Sequence, residues 1–473
     1  MTSAAILDPD YLVIGSGAMG MAFTDVLLTE TNASVVLVDR HNRPGGHWNH
    51  AYPFVRLHQP SAFYGVNSRA LGGDTIDRTG WNAGLYELAS GAEVVAYFDQ
   101  VLHQQFLPSG RVQHFPMCES DGGRGWRSTL SGVQHQVSER TKVVDATYLH
   151  VTVPSIRPPR YEVADTMRCM PLNDLVKVTT PGKRYVVIGA GKTGVDACLF
   201  LLSNGVDPEH ITWIMPRDPW MLDRANLQPG AAFYAATAGS AAKQIEAAAS
   251  AGSITELFDA LEASGALLRF DPAVRPSMYR CGTVTRAELD ALRQIRDVVR
   301  LGRVQRIEPD RIVLDGGTIP TDAEVVHVDC SADGLERRPA RPVFEGDRIT
   351  LQTVRSCQQV FSAAFIAHVE ATYDNDADKN ERCVVVPHPN HDTDWVRNFI
   401  ADTANAAHWR KEPALHEWMV QARLDGFSGT SRESTEQPEH RDIIRRIVTN
   451  TAPALANLNR FLAEADETGP LET

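Results

Sequence analysis

The segment Tyr11-Leu-Val-Ile14 followed by Gly15-Ser-Gly-Ala-Met-Gly20 decides the fold. Four apolar residues read as a buried strand and the glycines as a tight turn. Met21, Phe23, Val26, Leu27 and Leu28 then recur at the spacing of a helix face. Gly15 permits the turn, Gly17 lets the backbone approach a pyrophosphate, and Gly20 allows close packing of helix on strand. The free N–H groups at the helix start attract negative charge. A second strand, Ser34–Val38, ends in Asp39 and Arg40, at about the offset from Gly20 where an acidic side chain meets a ribose hydroxyl.

The pattern recurs in the strand Arg184–Ile188, the turn Gly189-Ala-Gly-Lys-Thr-Gly194 and a helix over Val195–Ser203. At this chain's glycine content, three glycines at this spacing are expected by chance about 0.2 times. One match alone is therefore weak, but two, each between a strand and a helix, are not accidental. The strand Ile211–Met215 ends in Pro216-Arg217-Asp218. A guanidinium there can pair with a 2′-phosphate, which favours NADP(H) over NAD(H). The alternative is a solvated loop charge. Lys192, with Thr193 beside it, either adds to the pyrophosphate site or faces solvent.

After the first unit the chain reads Arg43-Pro-Gly-Gly-His-Trp48 and then Ala51-Tyr-Pro-Phe-Val-Arg-Leu-His-Gln-Pro-Ser-Ala-Phe-Tyr-Gly65. Paired glycines let a chain pass close to a planar ring, and Trp48 supplies a flat apolar surface with one N–H donor. The bland reading makes Trp48 and Tyr52 core aromatics.

Here the chain resembles the flavin-containing monooxygenases and their Baeyer-Villiger relatives, which carry a Gly-Gly-x-Trp and a Tyr-Pro segment beneath the flavin. The resemblance runs in outline from Tyr11 to about Glu370. It implies FAD held by Gly15, Gly17, Gly20, Asp39, Arg40, Gly46, His47 and Trp48, and NADPH held by Gly189, Gly191, Lys192, Thr193, Gly194 and Arg217. Hydride would pass from NADPH to the flavin, whose reaction with oxygen would give a peroxyflavin able to oxidise a small organic molecule at N, S or C. Where that family places an Asn or Asp near the reactive face, the local match puts His58. That ring, neutral or charged near pH 7, could hydrogen-bond or donate a proton, or simply pair with backbone. Arg56 and Gln59 are its candidate catalytic neighbours. The Baeyer-Villiger fingerprint Phe-x-Gly-x-x-x-His-x-x-x-Trp/Tyr is absent between Val151 and Lys183, so that assignment is not made. An NADPH-dependent reductase without oxygen insertion is the rival enzyme, and a non-catalytic redox sensor the rival of another class.

The expected fold class is α/β, with two Rossmann-like dinucleotide-binding domains, the NADPH domain inserted in the FAD domain, plus a helical C-terminal extension. The divisions are 1–180 and 331–390 for the FAD domain, 181–330 for the NADPH domain with a helical insertion at about 219–300, and 391–473 for the extension. Thr285–Val299 reads as an amphipathic helix, Arg303–Ile307 with Arg311–Leu314 as a hairpin, and Ala323–Val328 as a buried strand. A helix after Gln358 occupies the place where the resembled flavoproteins aim a helix N-terminus at the flavin, the alternative being an ordinary domain helix.

Composition narrows the partners. Lys and Arg number 46 against 59 Asp and Glu, giving a net charge of -13 with scattered basic residues, which argues against nucleic acid. No apolar run reaches the roughly 18 residues of a membrane span. Met1–Asp10 shows no secretory signal, so a cytoplasmic location is expected. The seven cysteines are widely spaced with no Cys-x-x-Cys, which reads as reduced thiols and counts against a redox-dithiol flavoprotein. His388 and His391 with Asp392 and Asp394 read as a polar loop, with no metal. The partners expected are a small-molecule substrate and molecular oxygen, with a homo-oligomer possible, and the polar end Ala463–Thr473 is expected to fray.

Overall fold

The computed structural model describes residues 6–428 and 437–467, so parts of the two terminal stretches read above, 1–5 and 468–473, lie outside the described residues. Tyr11–Ile14 is the centre of a six-stranded sheet, flanked in parallel by Lys142–Asp145 and Val35–Val38. Val112–Phe115 extends it beyond Val35–Val38, and Arg348–Thr350 beyond Lys142–Asp145. Val35–Val38 is fully buried, as a parallel strand covered on both faces must be.

A second, five-stranded sheet is parallel throughout, in the order Arg168–Pro171, Val326–Asp329, Tyr185–Ile188, Ile211–Ile214, Asp297–Val299. The chain leaves the first sheet after Asp145, builds the second, and returns at Arg348 to pair beside the strand it left. Val151–Thr152 and Gly334–Leu335 pair antiparallel where the two crossings meet. The second nucleotide fold is thus inserted in the first.

Three elements depart from the sequence reading. The amphipathic helix expected over Thr285–Val299 stops early: only Arg286–Leu292 is helical, and Asp297–Val299 becomes an edge strand against Thr212–Ile214. Its β-branched Val298 and Val299 gain ladder partners there, and tertiary pairing overrides the helical period. The inserted segment after Pro219 is mixed rather than helical. It pairs Pro219–Asp223 with Leu267–Leu268 and Met278–Val284 beneath the helices Tyr234–Ser250 and Ile254–Ala263. Finally, the cysteines are not all reduced. Cys281 and Cys357 form a disulfide across 76 positions of sequence, a separation at which no local spacing motif exists to be read.

The C-terminal extension packs on the body. Trp395 stands edge-on to Phe258, Trp409 lies 4.4 Å from Phe365, and the Trp418 Nε1–H donates to Glu30 at 2.6 Å. The helix Pro438–Glu467 lies along Tyr234–Ser250. Among the described residues no helix is long and apolar enough to cross a membrane.

Candidate functional site

Three helices begin at one cavity of about 730 Å³. They are Ala18–Glu30 after Gly17, Lys192–Ser203 after Gly191, and Gln359–Thr372 after Gln358. None has a side-chain cap or an acidic residue in its first turn. Some helices elsewhere are capped, with Ser90 and Glu93 and Thr285 and Glu288 forming complete capping boxes, although Tyr234–Ser250 starts without a cap as well. An uncapped helix start leaves N–H donors unsatisfied and carries roughly half a positive charge. Gly17, Ala18, Met19, Lys192, Thr193, Gln358, Gln359 and Val360 all border the cavity, which is therefore rimmed by backbone positive potential from both nucleotide folds and from the returning helix.

The glycines serve distinct purposes. Gly15 and Gly189 have φ of 101° and 125°, a region that side chains disfavour. A Cβ on Gly20 would collide with the Gly15 carbonyl oxygen, and one on Gly194 with that of Gly189. Gly191 faces open space. Gly46, expected to admit a flat ring, instead lies against Gly17: its own Cβ would stand 3.0 Å from the Gly17 Cα. Both border the cavity, so the two backbones form a side-chain-free floor. This surface fits a pyrophosphate or ring that must approach the main chain closely.

Asp39 sits at the end of its strand, bordering the cavity, with its carboxylate already engaged. One oxygen accepts from the Ser16 N–H (2.6 Å) and Ser16 hydroxyl (2.8 Å), the other from His41 N–H and Nδ1 (2.8 Å each). Burial pushes its pKa up, but these bonds outweigh it and hold the carboxyl below the usual range. Four acceptances fill a carboxylate. A ribose hydroxyl reaching it must replace one of those donors. Arg40 is exposed at the cavity edge.

Trp48 borders the cavity, and its Nε1–H donates to the Tyr64 hydroxyl at 2.7 Å, which fixes the indole plane and spends its one donor. His47 stacks on it at 5.3 Å, its pKa pushed down to about 4 by burial and then by His41. Arg56, His58 and Gln59 border the same cavity. Arg56 donates to the Leu88 carbonyl at 2.8 Å. The His58 pKa is pushed down to about 3, first by burial and then by the positive charges of Lys192 and Arg224. That shift favours the neutral ring, which can form a hydrogen bond. Its Nδ1 is buried without a hydrogen-bond partner among the described residues. A buried polar atom in that state is costly unless a ligand satisfies it.

Two features that position this wall escaped the sequence. Arg224, almost wholly buried, donates to the His58 carbonyl (3.0 Å), to Asn82 (3.1 Å) and to both Glu288 oxygens (3.2 and 2.9 Å). No local pattern marks a pair 64 residues apart. The second feature joins the domains. Asp196 accepts from the Tyr52 hydroxyl at 2.5 Å and is paired with Lys192, while Phe54 stacks on Phe200 at 3.8 Å. Lys192 thus borders the cavity with its charge partnered, and Tyr52 docks the first fold on the second.

Gly189, Gly191, Gly194 and Arg217 do not border that cavity. Arg217, beyond the end of Ile211–Ile214, donates to the Asn390 side-chain oxygen at 2.9 Å, and Arg280 donates to the same oxygen at 2.6 and 3.0 Å. Burial, then the charges of Arg280, Arg303 and Arg337, lowers the Arg217 pKa. Asp333, ion-paired with Arg280 and Arg160, is the counter-charge. Asp218 plays no part: its carboxylate holds Arg300 through two bonds of 2.9 Å. Several arginines around one aspartate form a site short of negative charge. The His391 Nδ1 lies 3.5 Å from the Arg217 guanidinium.

Residues 13–64 match the family described as NAD(P)-binding Rossmann-like domain. "Uncharacterized protein Rv2000" of Mycobacterium tuberculosis is 55% identical over 439 residues, covering 93% of this chain and 81% of its own length. "Uncharacterized protein Mb2023" of Mycobacterium bovis matches to the same extent. Among solved structures, open cyclohexanone monooxygenase aligns at TM-score 0.48 and 13% identity, covering 94% of this chain and 98% of that one. A flavin-containing monooxygenase from Stenotrophomonas maltophilia aligns at TM-score 0.43 and 18% identity, covering 77% and 98%.

Proposed function

We propose that this chain, which belongs to the family of the mycobacterial protein Rv2000, is an FAD-dependent, NADPH-using oxidoreductase, and that it oxygenates a small organic molecule at N, S or C. The observation that carries the reading is the convergence of three uncapped helix starts, from both nucleotide folds and the returning helix, on one cavity walled by Trp48 and His58. Two pyrophosphates and a flavin that becomes anionic on reduction are the ligands that such a rim stabilises.

The residues fit FAD in the first fold. Gly17 and Gly46 leave a floor without side chains, and the unpartnered His58 Nδ1 awaits a polar group. Bound there, the flavin would supply two-electron transfer between NADPH and an acceptor. The chain's own part is to orient and exclude. Trp48, held by Tyr64, walls the ring. Neutral His58, held by Arg224 through its carbonyl, offers a hydrogen bond rather than a proton. Tyr52 and Asp196 keep the two folds in register, and the Arg217–Arg280 cluster reads the 2′-phosphate of NADPH.

The test is the visible spectrum of the purified protein, followed without oxygen on adding NADPH and then on admitting air with candidate amine, sulfide and ketone substrates. A bound flavin that bleaches with NADPH at far lower concentration than with NADH, then yields oxygenated product, is expected. A protein without flavin, or a flavin that NADPH does not bleach, would overturn the reading.

A further inference from the structure

Beyond that reading, and resting on it for its electron source, we propose that the Cys281–Cys357 disulfide is a redox-active second acceptor, opened to a dithiol by the reduced flavin. Cys357 borders the same cavity as Trp48 and His58 and is partly open to it. Cys281 lies in Met278–Val284 of the inserted segment, so the bond ties that segment to the returning part of the first fold.

The surroundings are built for thiol chemistry. Cys357 stands two residues before the uncapped helix Gln359–Thr372, and a helix start stabilises a thiolate. Asp402 accepts from the Ser356 N–H, immediately before Cys357, at 2.8 Å, and the Ser356 hydroxyl lies 3.6 Å from the Cys357 Sγ. Burial pushes the Asp402 carboxyl up to about 6, so a group that exchanges protons just below neutral pH is bonded to the residue preceding Cys357. The Tyr279 hydroxyl lies 3.8 Å from the Cys281 Sγ. Cys281 and Cys357 also have positive φ, 55° and 58°, in which only three other non-glycine residues among those described join them. That conformation is a cost an ordinary staple would not need.

The step balances. The reduced flavin gives up two electrons and a proton and returns to its oxidised state. The S–S bond breaks, and the two sulfurs take up two protons, one from the flavin and one by way of Asp402 from solvent. Over the cycle, NADPH, one proton and the disulfide become NADP⁺ and two thiols.

The holoprotein is titrated anaerobically with NADPH, then denatured, alkylated and mapped by peptide mass, with free thiols counted in parallel. Two equivalents of NADPH are expected to be consumed before free NADPH accumulates, one for the flavin and one for the disulfide. The thiol count should rise by two, with label at Cys281 and Cys357. Cys357→Ser should lower the uptake to one equivalent, and since that variant could misfold, the wild-type count decides alone. Flavin that bleaches at one equivalent while the Cys281 and Cys357 peptides stay joined would overturn this inference and leave the proposed function standing. If NADPH fails to bleach the flavin, photochemical reduction replaces it: thiols that then appear support the disulfide role while the NADPH reading fails. Absence of flavin, or seven free thiols in the air-oxidised protein, would overturn the inference.

Discussion

Gly17 and Gly46 face each other so closely that a Cβ on Gly46 would stand 3.0 Å from the Gly17 Cα, whereas a Cβ on Gly17 would meet Gly46 at 3.6 Å, an ordinary contact. Gly17 also has φ of -70°, which any residue adopts. Gly17→Ala is therefore expected to fold with stability within about 1 kcal/mol of wild type, since it neither overpacks nor strains. It should still lose most bound flavin, because the methyl intrudes on the floor where the pyrophosphate lies. Gly20→Ala, whose Cβ collides with the Gly15 carbonyl, should lose about 1–3 kcal/mol or more by overpacking. Urea unfolding and flavin absorbance per chain separate the two. Equal flavin content in Gly17→Ala and wild type would remove the pyrophosphate from this floor.

Arg224 and Glu288 form a buried pair that also anchors the His58 carbonyl and the start of Arg286–Leu292. Removing one partner strands the other charge, an effect of roughly 3–5 kcal/mol. Arg224→Ala should lose about that much in urea unfolding. The double variant Arg224→Met with Glu288→Gln, which leaves no buried charge, should recover most of it. A double variant no more stable than the single would show that packing, not the stranded carboxylate, carries the loss.

At the second fold, Arg217 and Arg280 share the Asn390 oxygen; Arg280 is ion-paired with Asp333, while Arg217 has no carboxylate at ion-pair distance among the described residues. A charge-assisted bond to a phosphate contributes about 1.5–3 kcal/mol. Arg217→Ala and Arg280→Ala should each raise the KM for NADPH about 10- to 100-fold and leave that for NADH nearly unchanged. A parallel rise for both nucleotides would mean that these side chains do not meet the 2′-phosphate.

What was legible in the sequence was local. Strand, glycine turn and helix lie within about twenty residues at Tyr11–Glu30 and again at Tyr185–Ser203, so apolar runs and fixed glycines expose them. The joining of Gly46 to Gly17, of Tyr52 to Asp196 and of Cys281 to Cys357 was not legible, because each contact exists only after distant segments pack. The same holds for charge. His58 reads as a titrating group in the sequence, whereas in the fold its burial first, and then the charges of Lys192 and Arg224, push its pKa down. Periodicity misled over Thr285–Val299 because a buried stripe serves either a helix or an edge strand, and the neighbouring Ile211–Ile214 ladder settled it.

Asp402 makes stability depend on pH. Its carboxyl is pushed up to about 6, by burial first, while the Ser356 N–H and the charge of Arg355 pull the other way. Tyr279 also faces it, and Arg355 is itself paired with Asp425 at 2.5 Å. In the unfolded chain an Asp titrates near 3.9, so the folded state holds this proton more tightly. The contribution to stability is complete below about pH 4 and is lost as the pH rises through about 6. Above that, carrying the ionised carboxylate costs about 3 kcal/mol. Asp402→Asn keeps an acceptor for the Ser356 N–H and cannot ionise. Its unfolding free energy, measured in urea against wild type, should be nearly equal at pH 4 and higher by about 2–3 kcal/mol at pH 7.5. A difference that stays constant across that range would mean that folding does not raise this carboxyl's pKa, and would take away the near-neutral proton exchanger placed next to Cys357.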